Sequence, residues 1–269
     1  MPVIGILNCK MLQDEIVYLI QNDSDIQNVT VIENGQHDEF IKKLNQAGLK
    51  YSLAGSYDLL PDAAPVQKGN TDISLVVWNM ELGLHDVPKI LKEEVYENLH
   101  RFAPKVNGIL LFYGLCGNVL AHVEDDFKDI VPVVILREAD GEIVDDCVGA
   151  TIGGRTPYLN LLKSFHGVGT LILTPMGAAT TNEFFSYKKS LRPLSEDEIY
   201  QMNKFMFDEA NYKRVARLET GLHYTEDADD SLHQFADKYH FEVIDLDGGS
   251  QKIFENSYLK LKNIISEVV

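Results

Sequence analysis

Short, unbroken apolar runs recur along this chain at intervals that leave room for a helix between them, and they constrain its fold more than any other feature. Residues 3–7, 29–32, 73–78, 108–113 and 131–136 are each of strand length and apolar at consecutive rather than alternate positions. A strand apolar on both sides must have both sides covered, which is the condition of a parallel strand packed between helices. Amphipathic segments of helix length separate the runs, at 11–20 and at 88–102, where Ile90, Leu91, Val95 and Leu99 are set among charges. Strands alternating with helices predict an α/β fold with a doubly wound, mostly parallel sheet and its first strand near the centre. Further runs at 169–173, 214–218 and 241–246, with helices expected at 229–239 and 251–265, predict a second, smaller α/β lobe. Ser195 and Glu198 have the spacing of a capping box and mark another helix start. The lobe boundary is expected where His166-Gly167 ends a helix, dividing the chain into 1–167, which carries all three cysteines, and 168–269. Residues 49–70 read as an insertion loop and 184–194 as a connecting segment.

Charge and cysteine content narrow the classes of function. The chain has 24 basic and 41 acidic residues, a net charge of −17, so its field repels nucleic acid and anionic membrane surfaces alike. No apolar run approaches the about 18 residues of a membrane span, and the first residues lack the basic region of a secretory signal. Three widely spaced cysteines do not form a disulfide framework, which fits a reducing, cytoplasmic setting.

Those cysteines are the residues best placed for chemistry. Cys9 follows the first strand, and Cys116 follows the fourth within Tyr113-Gly114-Leu115-Cys116-Gly117-Asn118. Ligands of open parallel sheets bind outside the carboxyl ends of the strands, where both thiols fall. Cys147, in a loop ahead of a helix expected from residue 151, leaves the same edge. His85, after the third strand, is the candidate fourth metal ligand. Asp145 and Asp146 are candidates to orient a ligand, and Gly114 and Gly117 to allow a tight turn and close backbone approach. The glycine-rich stretch 149–155 ends in Arg155, which could join backbone N–H groups in holding an anion. Thiolates bind zinc or iron–sulfur clusters, and three ligands leave one position open for substrate. Buried cysteines also pack as small hydrophobes, so the spacing alone leaves a structural role open. The remaining histidines considered, among them His100, His122 and His166, show no metal-type pairing. Gly-x-His-Asp occurs twice, ending at Asp38 and at Asp86, each time between strand and helix where Asp can cap.

Cys9, Gly83-Leu84-His85-Asp86, the Tyr113 to Asn118 element and Asp146-Cys147 together resemble a prokaryotic family known as domain of unknown function 1638. The likeness extends through 153–158, 169–175 and 214–222, and so spans nearly the whole chain. The resemblance implies that all three cysteines coincide with signature positions. It also implies company, since genes for corrinoid-dependent methyltransferases often lie beside those of the family in methanogens and other anaerobes. The chain departs from the family at Asp145, where His is usual, at Phe112, where Gly is common, and in its longer 49–70 segment.

Three functions are therefore expected to compete. The first is a zinc–thiolate protein of one-carbon or corrinoid methyl metabolism, acting as a metal-dependent transferase or lyase on a small molecule and meeting corrinoid only through a partner protein or methyltransferase. The second is an enzyme whose three cysteines hold a [4Fe-4S] cluster that acts as a Lewis acid. The third is an accessory protein that binds a small molecule or cofactor without catalysis.

Overall fold

The computed structural model describes residues 1–67, 69, 71–186 and 193–267, with the side chains of His85 and Asp86 outside the described set. The large sheet comprises β1 (Val3–Cys9), β2 (Ile26–Ile32), β3 (Ser52–Ala54), β4 (Ile73–Met80), β5 (Gly108–Phe112) and β6 (Val133–Ile135). Its order is β3-β2-β4-β1-β5-β6 and every pairing is parallel, so β1 lies inside the sheet between β4 and β5. Ile4 and Ile6 of β1 face one layer with Leu75 and Val77 of β4, while Leu7 and Cys9 face the other. Both layers are apolar because both are covered, which accounts for the unbroken runs.

The helices that cover these layers are α1 (Gln13–Asn22), α2 (Asp38–Gln46), α3 (Pro88–Phe102) and α4 (Val123–Phe127). Ile16 and Val17 of α1 and Phe40 and Leu44 of α2 pack in the layer of Ile4, whereas Leu91, Val95 and Leu99 of α3 and Phe127 of α4 pack in the layer of Leu7. The helices leaving the neighbouring strands β1 and β4 thus depart to opposite faces, and a crevice opens at the carboxyl edge between them. The chain continues through α5 (Cys147–Ile152) and α6 (Arg155–Ser164) into the second lobe.

That lobe is built on the parallel sheet β7-β8-β9, from β7 (Gly169–Leu173), β8 (Tyr212–Glu219) and β9 (Glu242–Asp247). Its helices are α7 (Pro175–Ala179), α8 (Thr181–Phe184), α9 (Glu196–Glu209) and α10 (Ala228–Tyr239). Ser195 and Glu198 form the capping box that starts α9, its side chain and backbone bonds both present. The last helix, α11 (Lys252–Glu267), follows the small sheet in sequence but packs Phe254, Tyr258, Leu261 and Ile265 on the large one. Chain order had grouped it with the second lobe; its apolar face is instead buried beside Ile4 and Phe112, where the area to cover is.

Local differences have local causes. The 49–70 segment contains the edge strand β3, joined to β2 through Thr30 to Ile32. The 184–194 segment begins in the last residue of α8, and residues 187–192 lie outside the described set. Neither Gly-x-His-Asp element uses its aspartate as the capping residue: His37 is the N-cap of α2, and Val87 that of α3. His37 Nδ1 accepts from the backbone N–H groups of Asn34 and Gly35, which fixes that turn instead.

The second lobe docks on the carboxyl edge of the large sheet through a buried polar cluster. Lys43 of α2 is 0% exposed, and its ammonium bonds to Asp14 of α1 and to Thr225, which follows β8. Met176 Sδ of α7 lies 3.3 Å from the same nitrogen. A buried cation persists only when paired and hydrogen-bonded, so the lysine requires both α1 and the second lobe in place. Glu15, beside Asp14, is buried with one carboxyl oxygen unpartnered. Burial first, and the neighbouring Asp14 charge second, push its pKa up from 4.5 to about 8.

A raised carboxyl pKa means that the folded chain holds a proton the unfolded chain releases. Its stabilising effect is full below about pH 4.5 and is lost as pH rises through about 8. Urea unfolding of Glu15→Gln, compared with wild type at pH 5 and pH 8, should show a smaller loss of stability with pH, by a few kcal/mol. Equal slopes would show that Glu15 is ionised in the fold.

Candidate functional site: a three-thiol cluster

Three segments deliver the thiols. Cys9 is the last residue of β1 and is buried on the α3 side of the sheet. β1 and β5 run in register, Leu7 beside Leu111 and Asn8 beside Phe112, so the next level pairs Cys9 with Tyr113. Beyond β5 the Tyr113 N–H turns back to the Leu111 carbonyl at 2.9 Å and the strand ends. Leu115 and Cys116 then donate their N–H groups to Val144 (2.8 Å) and Asp145 (3.2 Å), lashing the first loop to the second. Gly114 makes this possible, because a Cβ there would stand 2.6 Å from the Val144 carbonyl oxygen and 2.9 Å from the Asp146 nitrogen. Cys116, Gly117 and Asn118 follow with φ of +45°, +78° and +67°. Two of these are non-glycine residues in the left-handed region, a strained conformation held by the surrounding bonds.

Cys147 is the first residue of α5, where a loop had been expected from the sequence. The helix begins earlier because Asp146 caps it, accepting from the Gly149 N–H at 2.6 Å. Asp146 therefore fixes the helix that presents Cys147. The Cys147 thiol shares hydrogen bonds with both Cys116 and Cys9, so the three sulfurs form one cluster. Those bonds, foremost the one with Cys116, hold the Cys147 proton and push its pKa well above the thiol range. The same bond, aided by one from the Gly114 backbone, lowers Cys116 against the opposing effect of burial. Cys116 thus carries the thiolate character of the cluster. Cys116 and Cys147 are half-buried, so the cluster is reached from their side.

The other expected site residues divide. The side chain of His85 lies outside the described set, and its backbone follows β4 in the turn Leu82–Asp86. Gly114 makes its close approach to the neighbouring loop and Gly117 supplies a turn, while Asn118 is exposed. Asp145 faces away, its Oδ2 accepting from Arg155 Nε at 3.4 Å on the surface. Arg155 does not head an open anion site, because its N–H already donates to Glu138 Oε1 at 2.9 Å. The Glu138 carboxylate occupies the position an anion would take. Among the described residues, no group of three or more His, Cys, Asp or Glu side chains is arranged to hold a metal ion. The thiols stand as a proton-bridged set.

Sequence reasoning passed over several residues here. The Tyr113 hydroxyl is buried on the same face, in the electrostatic field of all three cysteines. Strand alternation from Leu111 could have placed it there. Asn8, Gln13 and Asn79 form a fully buried amide set on the opposite face, with Asn8 Nδ2 and Gln13 Nε2 both donating to Asn79 Oδ1. A second cavity of about 390 Å³ opens at the carboxyl ends of β7 and β8, lined by Thr174, Arg217, Glu219 and Thr225 among others. Arg217 is committed there to Asp229 and Asp245 at 2.8 and 2.7 Å.

Two substitutions test how the cluster is assembled. Gly114→Ala should cost about 1–3 kcal/mol by overpacking, and it should speed alkylation of Cys147 as the second loop is pushed outward. Asp146→Ala should cost about 1 kcal/mol through loss of the cap. Urea midpoints and peptide mapping of alkylated protein check both. An unchanged midpoint and mapping pattern for Gly114→Ala would show that the 144–146 backbone is not held by that contact.

The geometry can be set beside known proteins. No curated protein and no solved structure matches the chain. Among the described residues no helix is long and apolar enough to cross a membrane. A family profile described as "Protein of unknown function (DUF1638)" matches residues 79–257, more than half of the chain and including Cys116 and Cys147. With the signature thiols gathered at one sheet edge and the profile covering most of the fold, the chain belongs to the DUF1638 family.

Proposed function

We propose that the Cys9–Cys116–Cys147 cluster binds a soft metal ion, zinc in first place, and that the protein serves one-carbon or corrinoid methyl-transfer metabolism on a small substrate. The hydrogen bonds that Cys147 shares with both other cysteines carry this reading, because they gather three soft donors at the carboxyl edge of a parallel sheet. Metal binding to cysteine displaces protons, and the protons bridging these sulfurs are the ones it would displace. Cys116, already inclined to the thiolate, is the first ligand, and Cys9 and Cys147 complete the set. Zinc held by three thiolates supplies a Lewis-acidic open position for a substrate thiol or water. The chain's own part is to hold the donors on rigid elements: Cys9 on a central strand, Cys147 on a capped helix, Cys116 in a loop fixed by Gly114. The metabolic setting rests on the family resemblance and its methyltransferase company.

A second reading draws on the lack, among the described residues, of side chains already arranged to hold a metal. On that reading the thiols line a pocket for a small molecule or cofactor, and the protein is a non-enzymatic accessory.

Elemental analysis of protein purified under anoxia separates the readings. About one zinc per chain, lost on replacing Cys9, Cys116 or Cys147 by Ser with the fold retained, is the expected outcome. A brown, oxygen-sensitive protein with broad visible absorption would replace zinc by a three-cysteine [4Fe-4S] cluster. Metal-free protein that neither gains zinc on titration nor is stabilised by it would leave the accessory reading.

A further inference from the structure

The described residues leave seven buried side-chain oxygen or nitrogen atoms without a hydrogen-bond partner, and one of them belongs to the three-thiol site. Four of the other six are Asn8 Oδ1, Gln13 Oε1, Asn79 Nδ2 and Asn203 Oδ1, each from an amide whose remaining polar atom is bonded. Glu15 Oε2 belongs to a carboxyl that burial keeps protonated, and Tyr258 stands beside Asp23. Tyr113 differs from these. Its hydroxyl is its single polar side-chain atom, the residue is 2% exposed, and that hydroxyl meets no acceptor or donor.

Leaving a hydroxyl buried without a partner costs about 1–3 kcal/mol, and native structures rarely leave one so. Phenylalanine would fill the same space at no such cost. The position of the ring shows where the missing partner lies. Tyr113 follows β5 at the level of Cys9 on β1, on the same face of the sheet, and feels the charges of Cys9, Cys147 and Cys116 together. No other charged group contributes to its electrostatic environment. Burial and the three sulfurs keep the phenol protonated, which makes it a donor and not a base.

We infer that the Tyr113 hydroxyl donates a hydrogen bond to the acceptor atom of a ligand held against the three sulfurs, an oxygen or sulfur bearing a lone pair. The inference rests on the metal reading above and deepens it: the open position beside the thiolates takes a group such as water, hydroxide or a substrate thiolate, and Tyr113 selects for it. Tyr113 is then the residue that discriminates acceptor-bearing ligands from purely apolar ones, because only the former satisfy the buried hydroxyl.

The test is Tyr113→Phe in the full chain, with zinc as the probe. Two quantities are read: the urea midpoint of metal-free protein, and zinc affinity by chelator competition. Loss of a partner that supports a metal-bound group typically weakens metal binding about ten- to a hundredfold. The expected result is a metal-free midpoint equal to or above wild type, with zinc affinity reduced about tenfold or more. In a Cys116→Ser background the tyrosine substitution should have a much smaller effect on zinc affinity, because the two act on one ligand set. A metal-free Tyr113→Phe protein clearly less stable than wild type would show that the hydroxyl already has a protein partner, and would overturn the inference. Unchanged stability with unchanged zinc affinity would overturn it as well, while leaving the metal site standing. Failure of the wild type itself to bind zinc would overturn both the inference and the reading beneath it.

Discussion

Cys147 reaches the carboxyl edge of the large sheet because the 144–146 backbone lies against Gly114 with no room for even a methyl group. Two consecutive N–H groups beyond that glycine, of Leu115 and Cys116, bond to the carbonyls of Val144 and Asp145. The loop after β5 and the loop before α5 thus behave as one unit. Parallel pairing of β1 with β5 brings Cys9 to the same level. Remove the close contact at Gly114 and two of the thiols would ride on separate loops, each free to fluctuate. The left-handed conformations at Cys116 and Asn118 are affordable in that setting, since the lashing on one side and α5 on the other over-determine the backbone.

The second lobe reaches this edge through a polar anchor. Lys43, buried and bonded to Asp14 and Thr225, ties α2, α1 and the loop after β8 together, and Met176 of α7 completes its surroundings. An ion pair in such a place adds little net stability over an apolar substitute, but breaking it leaves a buried charge. Its consequence is therefore geometric: the two lobes have one low-energy way of meeting. Met176 also packs in the same layer as Cys9 and Tyr113, so the thiol cluster and the lobe contact share a wall.

Much of the frame was legible in the sequence because it depends on local, repeating signals. Continuous apolar runs gave the parallel sheet with β1 inside it, and the Ser195–Glu198 spacing gave the start of α9. The cysteines after β1 and β5 were placed at the carboxyl edge by the same logic. The start of α5 was missed by a few residues, although Asp146 and Gly149 stood at capping distance in the sequence. Short edge strands such as β3 escaped because three residues carry too little periodicity to register against a polar background.

By itself the sequence determined the layer order, the alternation of strand and helix, and which residues could be functional, since each follows from side-chain polarity over a few consecutive positions. Only the tertiary structure decided which of those residues meet. That Asp145 pairs with Arg155 at the surface, that Glu138 fills the place of an anion at α6, and that α11 covers the large sheet are contacts between segments distant in sequence or folded back on themselves. The same holds for the thiol cluster, whose members are separated by more than a hundred residues at one step and about thirty at the next. Such pairings depend on the directions in which chain segments leave the sheet and on the space that one glycine leaves open, and neither is encoded in the polarity pattern of a single segment.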